Sequence, residues 1–596
     1  NRTGGYGGLY GDVVNLTHPL GMVDDNLMKR YSDNVKIFAN AYVSVELMKG
    51  LKYKLNLTPD FQFYRYNSYE GLFDFGLAKH DITAVTEQQT RTRNILVENL
   101  LTFDRTFGDH KVSALVGYTY QDSRYRYMQG SGQGMPTGIT EIDAASQGLA
   151  VSGNSSRSVL TSILGRAFYS YKNRYLLTAT IRRDGSSKFG SNYRYGNFPS
   201  VSVGWNIAEE DFVKNSVSWL DQLKLRGGYG VLGNQEIDNY QYVSVVTTGI
   251  NYPDGKSGLI QGAFPKTFAN PDIKWEETAM TNVGIDFMAL RNRLTLTADW
   301  YVKNTKDILL NVPIPISTGG ANDPIRNAGK IRNQGFEFNL GWNESLNKDL
   351  SYGVSFLGTY NKNEVVEMGA ESQVITGGTI HGGTYTSRTL AGYPIGGFWL
   401  IPTDGYFNST EEVQAHQKDG VLIQPSAEPG DIRFKDTNND GTINDEDRVY
   451  CGSPFPKFTY SINGNITYKN VDFSIGFQGV TGNKIYNATK LELTDVTRGT
   501  NYLASTLDYW TPENQNASSP RLIWTDPNRN ARSESDRYLE SGSYFRLRNL
   551  QVGYTLPTVC SESSCVCQCG ESLYDLLLFG VYAGREFFRC IFSWFR

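Results

Sequence analysis

The first 559 residues hold a single cysteine, Cys451, while Cys560, Cys565, Cys567, Cys569 and Cys590 crowd the tail. A body so poor in cysteine has no disulfide framework, as fits a bacterial envelope protein that needs none. Long apolar runs are missing as well, since no stretch reaches the ~18 residues of a membrane-spanning helix. That lack excludes helical membrane proteins but not membrane barrels, whose strands alternate and never build such a run. There is no excess of basic charge: 57 Lys and Arg face 61 Asp and Glu, a net charge of −4, which leaves no footprint for nucleic acid. Histidine is scarce, and His18, His80, His110, His381 and His416 are scattered without paired ligand spacing. No nucleophile elbow or phosphate-binding loop stands in a strand-to-helix setting. Cys565-x-Cys567-x-Cys569 lacks the second ligand pair that a zinc site needs. The chain is therefore read as something other than an enzyme.

What it does have is 38 Tyr, 30 Phe and 61 Gly, a composition of strands and turns. Val283, Ile285 and Phe287 alternate with polar residues, turn within Arg291-Asn292-Arg293, and continue as Leu294, Leu296, Ala298, Trp300 and Val302. Ile163 to Tyr171 and Tyr175 to Ile181 repeat the pattern around Lys172-Asn173-Arg174. Phe458 to Tyr468 and Val471 to Phe477 do so around Lys469-Asn470, and Phe336 to Trp342 and Leu350 to Phe356 around Asn343–Asp349. Strands of about ten residues are expected. The opposite connections are long: Gln121–Arg157, Leu232–Asp272, Asn361–Lys457 and about Thr481 to Ser543. Short turns at one end and long polar loops at the other are the pattern of an outer-membrane barrel. Tyr169, Tyr171, Trp300, Trp342 and Tyr468 are expected near strand ends, as interfacial girdles. The fold class is thus all-β, a large antiparallel transmembrane barrel with long outer loops. A soluble carbohydrate-binding β-protein and a passive porin or adhesion barrel are the alternatives.

One loop carries ligand chemistry. Asp436, Asn438 and Asp440 fall at positions one, three and five, and Gly441 permits a sharp turn at six. The Thr442 carbonyl follows at seven, Asn444 at nine and Asp447 at twelve, the oxygen spacing that calcium takes. Gly430–Lys435 before it reads as a strand, so this is not a helix–loop–helix sensor. The aromatic stretch 382–399, with Tyr385, Tyr393, Phe398 and Trp399, could stack on sugar faces. Packing within the loops is the favoured reading of those rings, and no substrate residue is assigned.

Several blocks resemble the SusC/RagA family of TonB-linked outer-membrane transporters of Bacteroidetes. They are Tyr175–Ser187, Phe198-Pro199-Ser200 with Gly204-Trp205, Asn270–Glu276, Asn333–Phe338, Gly430–Asp436 with the cation loop, Pro454–Phe458 and Tyr544–Pro557. The resemblance implies a 22-stranded barrel with an N-terminal plug, a TonB-contacting segment and a SusD-like surface lipoprotein as lid. It implies import of oligosaccharides or peptides across the outer membrane. It also implies that residues 1–557 form part of the barrel with its outer loops, and that a plug and further strands belong to the intact protein. The Cys-rich 558–596 segment departs from the family and reads as a frameshift or truncation product.

Overall fold

The computed structural model describes residues 20–24, 27–74, 79–244, 246–253, 255, 258–265, 268–312, 323–369, 374–380, 383–498, 501–555 and 564–569. His18, His381 and the tail beyond residue 569 lie outside the described residues. Seventeen antiparallel strands form one large sheet. Its first strands are β1 (Met28–Phe38), β2 (Ala41–Met48), β3 (Leu51–Glu70), β4 (Ala84–Phe107), β5 (His110–Gln133) and β6 (Gln147–Tyr171). Next come β7 (Tyr175–Ser186), β8 (Tyr195–Asn206), β9 (Leu220–Asn234), β10 (Glu276–Ala289) and β11 (Leu294–Lys306). The last are β12 (Lys330–Ser345), β13 (Leu350–Glu367), β14 (Phe458–Tyr468), β15 (Val471–Thr481), β16 (Tyr544–Thr555) and β17 (Ser564–Cys569). From β3 onward each strand pairs with the next, while β1 and β2 lie end to end along β3. Among the described residues no pairing joins β17 back to β1 or β2, so the described sheet is open.

The four hairpins read from the alternation are present in that register. Three of the turns are tight because Lys172, Asn173, Leu290, Arg291, Asn292 and Lys469 accept positive φ between 51° and 61°. Leu290 is held there by its N–H on the Trp219 carbonyl (2.7 Å), and the Asn292 N–H donates to Asp221 Oδ2 (2.8 Å). Gly50 turns β2 into β3 at φ 84°, where a Cβ would stand 2.4 Å from the Asp104 carbonyl oxygen.

Three expectations need correction. Strands β4, β5 and β6 run to 24, 24 and 25 residues, far beyond the 9–11 that cross a membrane. Gln121–Arg157 is accordingly mostly strand rather than loop, and β13 extends through Glu367. The ladder is made by backbone groups, so it outlasts the apolar alternation once the strands leave lipid and both faces turn polar. Trp300 sits in the middle of β11, opposite Val283 and Phe336, and not at a strand end. Within Leu232–Asp272 a further hairpin forms from Val246–Pro253 and Leu259–Pro265.

Pairing carries one face consistently around the wall. Val112, Ala114, Val116, Tyr169, Leu177, Val203, Leu225, Ile285, Leu296 and Leu340 share the outward, lipid-facing side through directly opposed pairs. Arg226, Asp286, Asp299 and Asn339 share the other, toward the lumen. Buried clusters lie at the long-loop end: Phe189 with Phe198, Ile237, Ile273 and Trp275, and Tyr69 with Val85 and Met135.

Candidate functional site

The lumen face of the wall is polar and cross-linked. Arg226 of β9 reaches Asp299 of β11 (Nη1 to Oδ1, 2.6 Å) and Asp286 of β10 (3.3 Å), and Asn282 donates to Asp299 (3.0 Å). Higher up, the Tyr301 hydroxyl donates to Asn361 Oδ1 (3.0 Å), and Asn363 donates to Asn333 Oδ1 (2.9 Å). Period-two alternation alone puts these groups on one side, and the register then makes them neighbours. Such a surface offers fixed donors and acceptors to a polar solute.

Above it, the two longest loops, β13–β14 and β15–β16, fold together as one layer. Ile401 pairs in parallel with Ser535, its N–H donating to the Glu534 carbonyl (2.8 Å), and Thr403 caps Asp536 (2.8 Å). Ile401, Ile432 and Phe434 form a small core. A second cluster joins Phe407, Val413 and Ala427. Between the loops runs a buried polar network. Asp431, fully buried, accepts from Arg521 Nε (2.6 Å) and Nη2 (2.9 Å) and from Asn530 Nδ2 (2.8 Å). Gln424 and Asn528 bond each other (2.8 Å) and both donate to the Ile432 carbonyl (3.0 Å each). A buried carboxylate is tolerated because every oxygen finds a charged or amide donor. Asp431 raises the Arg521 guanidinium further above its ordinary range, while burial raises the Asp526 and Asp536 carboxyls. His416 lies edge-on to Phe407 at 5.4 Å, and burial, with Arg433 nearby, lowers its imidazole. Sequence reading missed this network; its signal was a charged Asp431 ahead of the alternating Ile432 and Phe434.

The Asp436–Asp447 loop belongs to this layer, with Ile443 packed on the Ile401 core. Gly430–Lys435 is a strand over Ile432–Phe434, as expected. Asp436 accepts the Asp440 and Gly441 N–H groups (3.1 and 2.7 Å), and Asp440 accepts from Asn438, Thr442 and Asn444. Those bonds, led by Asn438, lower the Asp440 carboxyl to about 2. Asp447, fully buried, takes the Thr437 and Asn444 N–H groups (2.7 and 2.8 Å), closing a capping box on Asn444. The donors are hard oxygens of the kind calcium takes. Among the described residues, though, no three His, Cys, Asp or Glu side chains are arranged to hold a metal. The described His80, His110 and His416 are likewise apart, His80 on the Gly71 carbonyl and His110 on the Tyr169 hydroxyl.

The aromatic stretch packs against itself. Tyr393 stands 4.8 Å from Trp399 and 5.1 Å from Tyr450 between ring centres, and Arg388 and Arg448 cover Tyr385.

A meander of the described strands with short turns below, a lipid-compatible outer face and packed loops above defines a large outer-membrane β-barrel. The chain belongs to the TonB-dependent receptor family: the family described as "TonB dependent receptor-like, beta-barrel" matches residues 2–564. That is a family of receptors and transporters rather than enzymes. The chain is 30% identical to TonB-dependent receptor P3 of Formosa agariphila over 553 residues, 91% of this chain and 53% of the relative. It is 30% identical to TonB-dependent receptor SusC of Bacteroides thetaiotaomicron over 409 residues, 67% of this chain and 38% of the relative. The chain spans about half the length of the curated relatives it matches. Among solved structures, the RagAB peptide transporter superposes with a TM-score of 0.77 at 21% identity, covering 91% of this chain and 58% of that one, a likeness of fold.

Proposed function

We infer that this chain supplies the wall and outer-loop layer of a TonB-dependent importer that takes up oligosaccharides or peptides with a SusD-like surface lipoprotein as partner. The observation that carries the reading is the lumen face, where Arg226, Asp286, Asp299, Tyr301 and Asn361 form a polar, hydrogen-bonding interior behind an apolar exterior. Family membership, with SusC among the relatives, supplies the TonB drive and the lid in this reading. The outer-loop layer is the surface a lid would meet, because its two loops pair and pack as one layer at the long-loop end. A deletion strain complemented with the full-length receptor tests this. Growth on defined oligosaccharides or peptides as sole nutrient should require the receptor, TonB and the lipoprotein. Growth independent of TonB would instead fit a passive porin.

Calcium in the Asp436–Asp447 loop is part of the same proposal, with Asp436, Asn438, Asp440, the Thr442 carbonyl, Asn444 and Asp447 as ligands. The order of oxygens and the strongly acidic Asp440 support it. Asp447 is buried and each of its oxygens already takes one backbone amide, so a modest affinity is expected. Calorimetric titration of chelator-treated full-length receptor should show one calcium per chain, lost in Asp440→Ala. An unchanged titration in that variant, or no heat in the parent, removes the site.

A further inference from the structure

Five arginines meet on the outward side of the wall, away from the lumen. Arg93 of β4, Arg124 of β5 and Arg157 of β6 are directly opposed across the two pairings, and Arg91 opposes Arg126 one step further up. Direct opposition puts all five on one face. It is the outward face, because Val112, Ala114, Val116, Tyr118 and Tyr120 precede Arg124 along the same side of β5. They line a groove of about 900 Å³, bounded above by Met128 and Val151 and at one side by Tyr240, whose hydroxyl accepts the Arg157 N–H (3.1 Å).

Height decides what such a groove can meet. With ~3.4 Å per residue and a tilt of about 40°, the Arg124–Arg157 pair stands ~35 Å above the His110–Tyr171 pair at the short-turn end. An apolar band is ~25 Å tall, so the arginines sit just beyond its outer edge, at the level of lipid headgroups. Their charge is poorly compensated. Asp122 is the one carboxylate among them, taking Arg157 (2.9 Å), Arg124 (3.2 Å) and Arg93 (3.3 Å). Arg91 has only the Phe63 ring (5.6 Å to its centre), and neither it nor Arg126 has a carboxylate partner among the described residues.

We propose that this groove binds the phosphate of an anionic glycolipid in the outer leaflet, a lipid A-type headgroup, with Arg91 and Arg126 as its free phosphate ligands. Asp122 aligns the other three guanidiniums as a rigid cationic floor. Forked guanidinium donors match phosphate oxygens two at a time, and a low-dielectric flank strengthens each contact. The acyl chains would lie along Val116, Tyr118 and Ile163, which are exposed on the same face below. A polar solute passing through the lumen never sees these groups, so the role is separate from import.

The test uses the full-length receptor, delipidated in mild detergent and offered three probes: phosphorylated lipid A, its enzymatically dephosphorylated form, and inorganic phosphate. Native mass spectrometry counts what is retained. Arg91→Gln/Arg126→Gln should lower retention of the phosphorylated lipid at least ~10-fold, taking two charge-assisted contacts together. Arg183→Gln, another outward arginine outside the groove, should leave it unchanged, and the dephosphorylated lipid should bind parent and variant equally weakly. Equal retention of both lipids by the parent overturns the proposal, showing annular lipid alone. Displacement of the lipid by millimolar phosphate would point to a free-anion site and also overturns it. If the double variant fails to fold, the lipid comparison on the parent and on Arg126→Gln alone still decides.

Discussion

The wall and the outer-loop layer are held together by different physics. In the wall, Val116, Ile163, Val203, Val283 and Trp300 stand exposed on the outward face, and the strands cohere through backbone ladders. In the layer, Leu400, Ile401, Phe407, Phe434 and Tyr538 are fully buried, together with the carboxylates of Asp431 and Asp447. Lipid is the solvent of the first, so its apolar side chains need no protein partner. The second faces water and must build a core, as a small soluble domain does. One chain thus carries two stability problems, and a single kind of substitution should affect them differently.

The largest effect is expected from Phe434→Ala, which opens a cavity beside Ile401 and Ile432 and should cost the layer about 4 kcal/mol. Limited proteolysis should then cut within 397–541 while the wall keeps its heat-resistant migration on gels; loss of both would show that layer and wall unfold together. Asp431→Ala strands Arg521 and Asn530 and should cost about 3 kcal/mol, read the same way. On the wall, Val283→Arg at mid-strand should cost about 2–3 kcal/mol in lipid refolding and leave the proteolysis pattern of the layer untouched.

A smaller contrast lies in pH. Burial raises Asp526 and Asp536, so between the ordinary 3.8 and the raised values the native layer keeps protons that the unfolded chain has lost. The contribution of these two groups to stability therefore falls as pH rises through that window, opposite in sign to that of the lowered Asp440 and Glu534 carboxyls. Hydrogen exchange of amides in 521–541, corrected for intrinsic rates, should speed up less from pH 4 upward in Asp526→Asn/Asp536→Asn than in the parent; the same pH dependence in both would contradict this. Least of all, Val421→Ser, exposed on the layer, should stay within about 0.5 kcal/mol.

Much of the wall was legible because its rule is local. Alternation in Val283 to Phe287 and Leu294 to Val302 assigns faces without knowing any partner strand. The reading failed where that cue fades: beyond Gln121 the residues turn polar on both faces, yet β5 and β6 continue because backbone bonds ignore side chains. The Asp436–Asp447 loop was legible as an oxygen spacing. Its observed bonding, with Asp447 given over to two backbone amides, was not, because burial depends on the surrounding fold.

The sequence by itself determined the class: an all-β wall with a lipid face, a polar lumen face and short turns at one end, all set by a period of two. Only tertiary structure decided which strands align at which register, and so which distant residues meet. Arg93, Arg124 and Arg157 share a groove, and Asp431 finds Arg521, because pairing and loop packing are cooperative over the whole chain, and no local pattern encodes them.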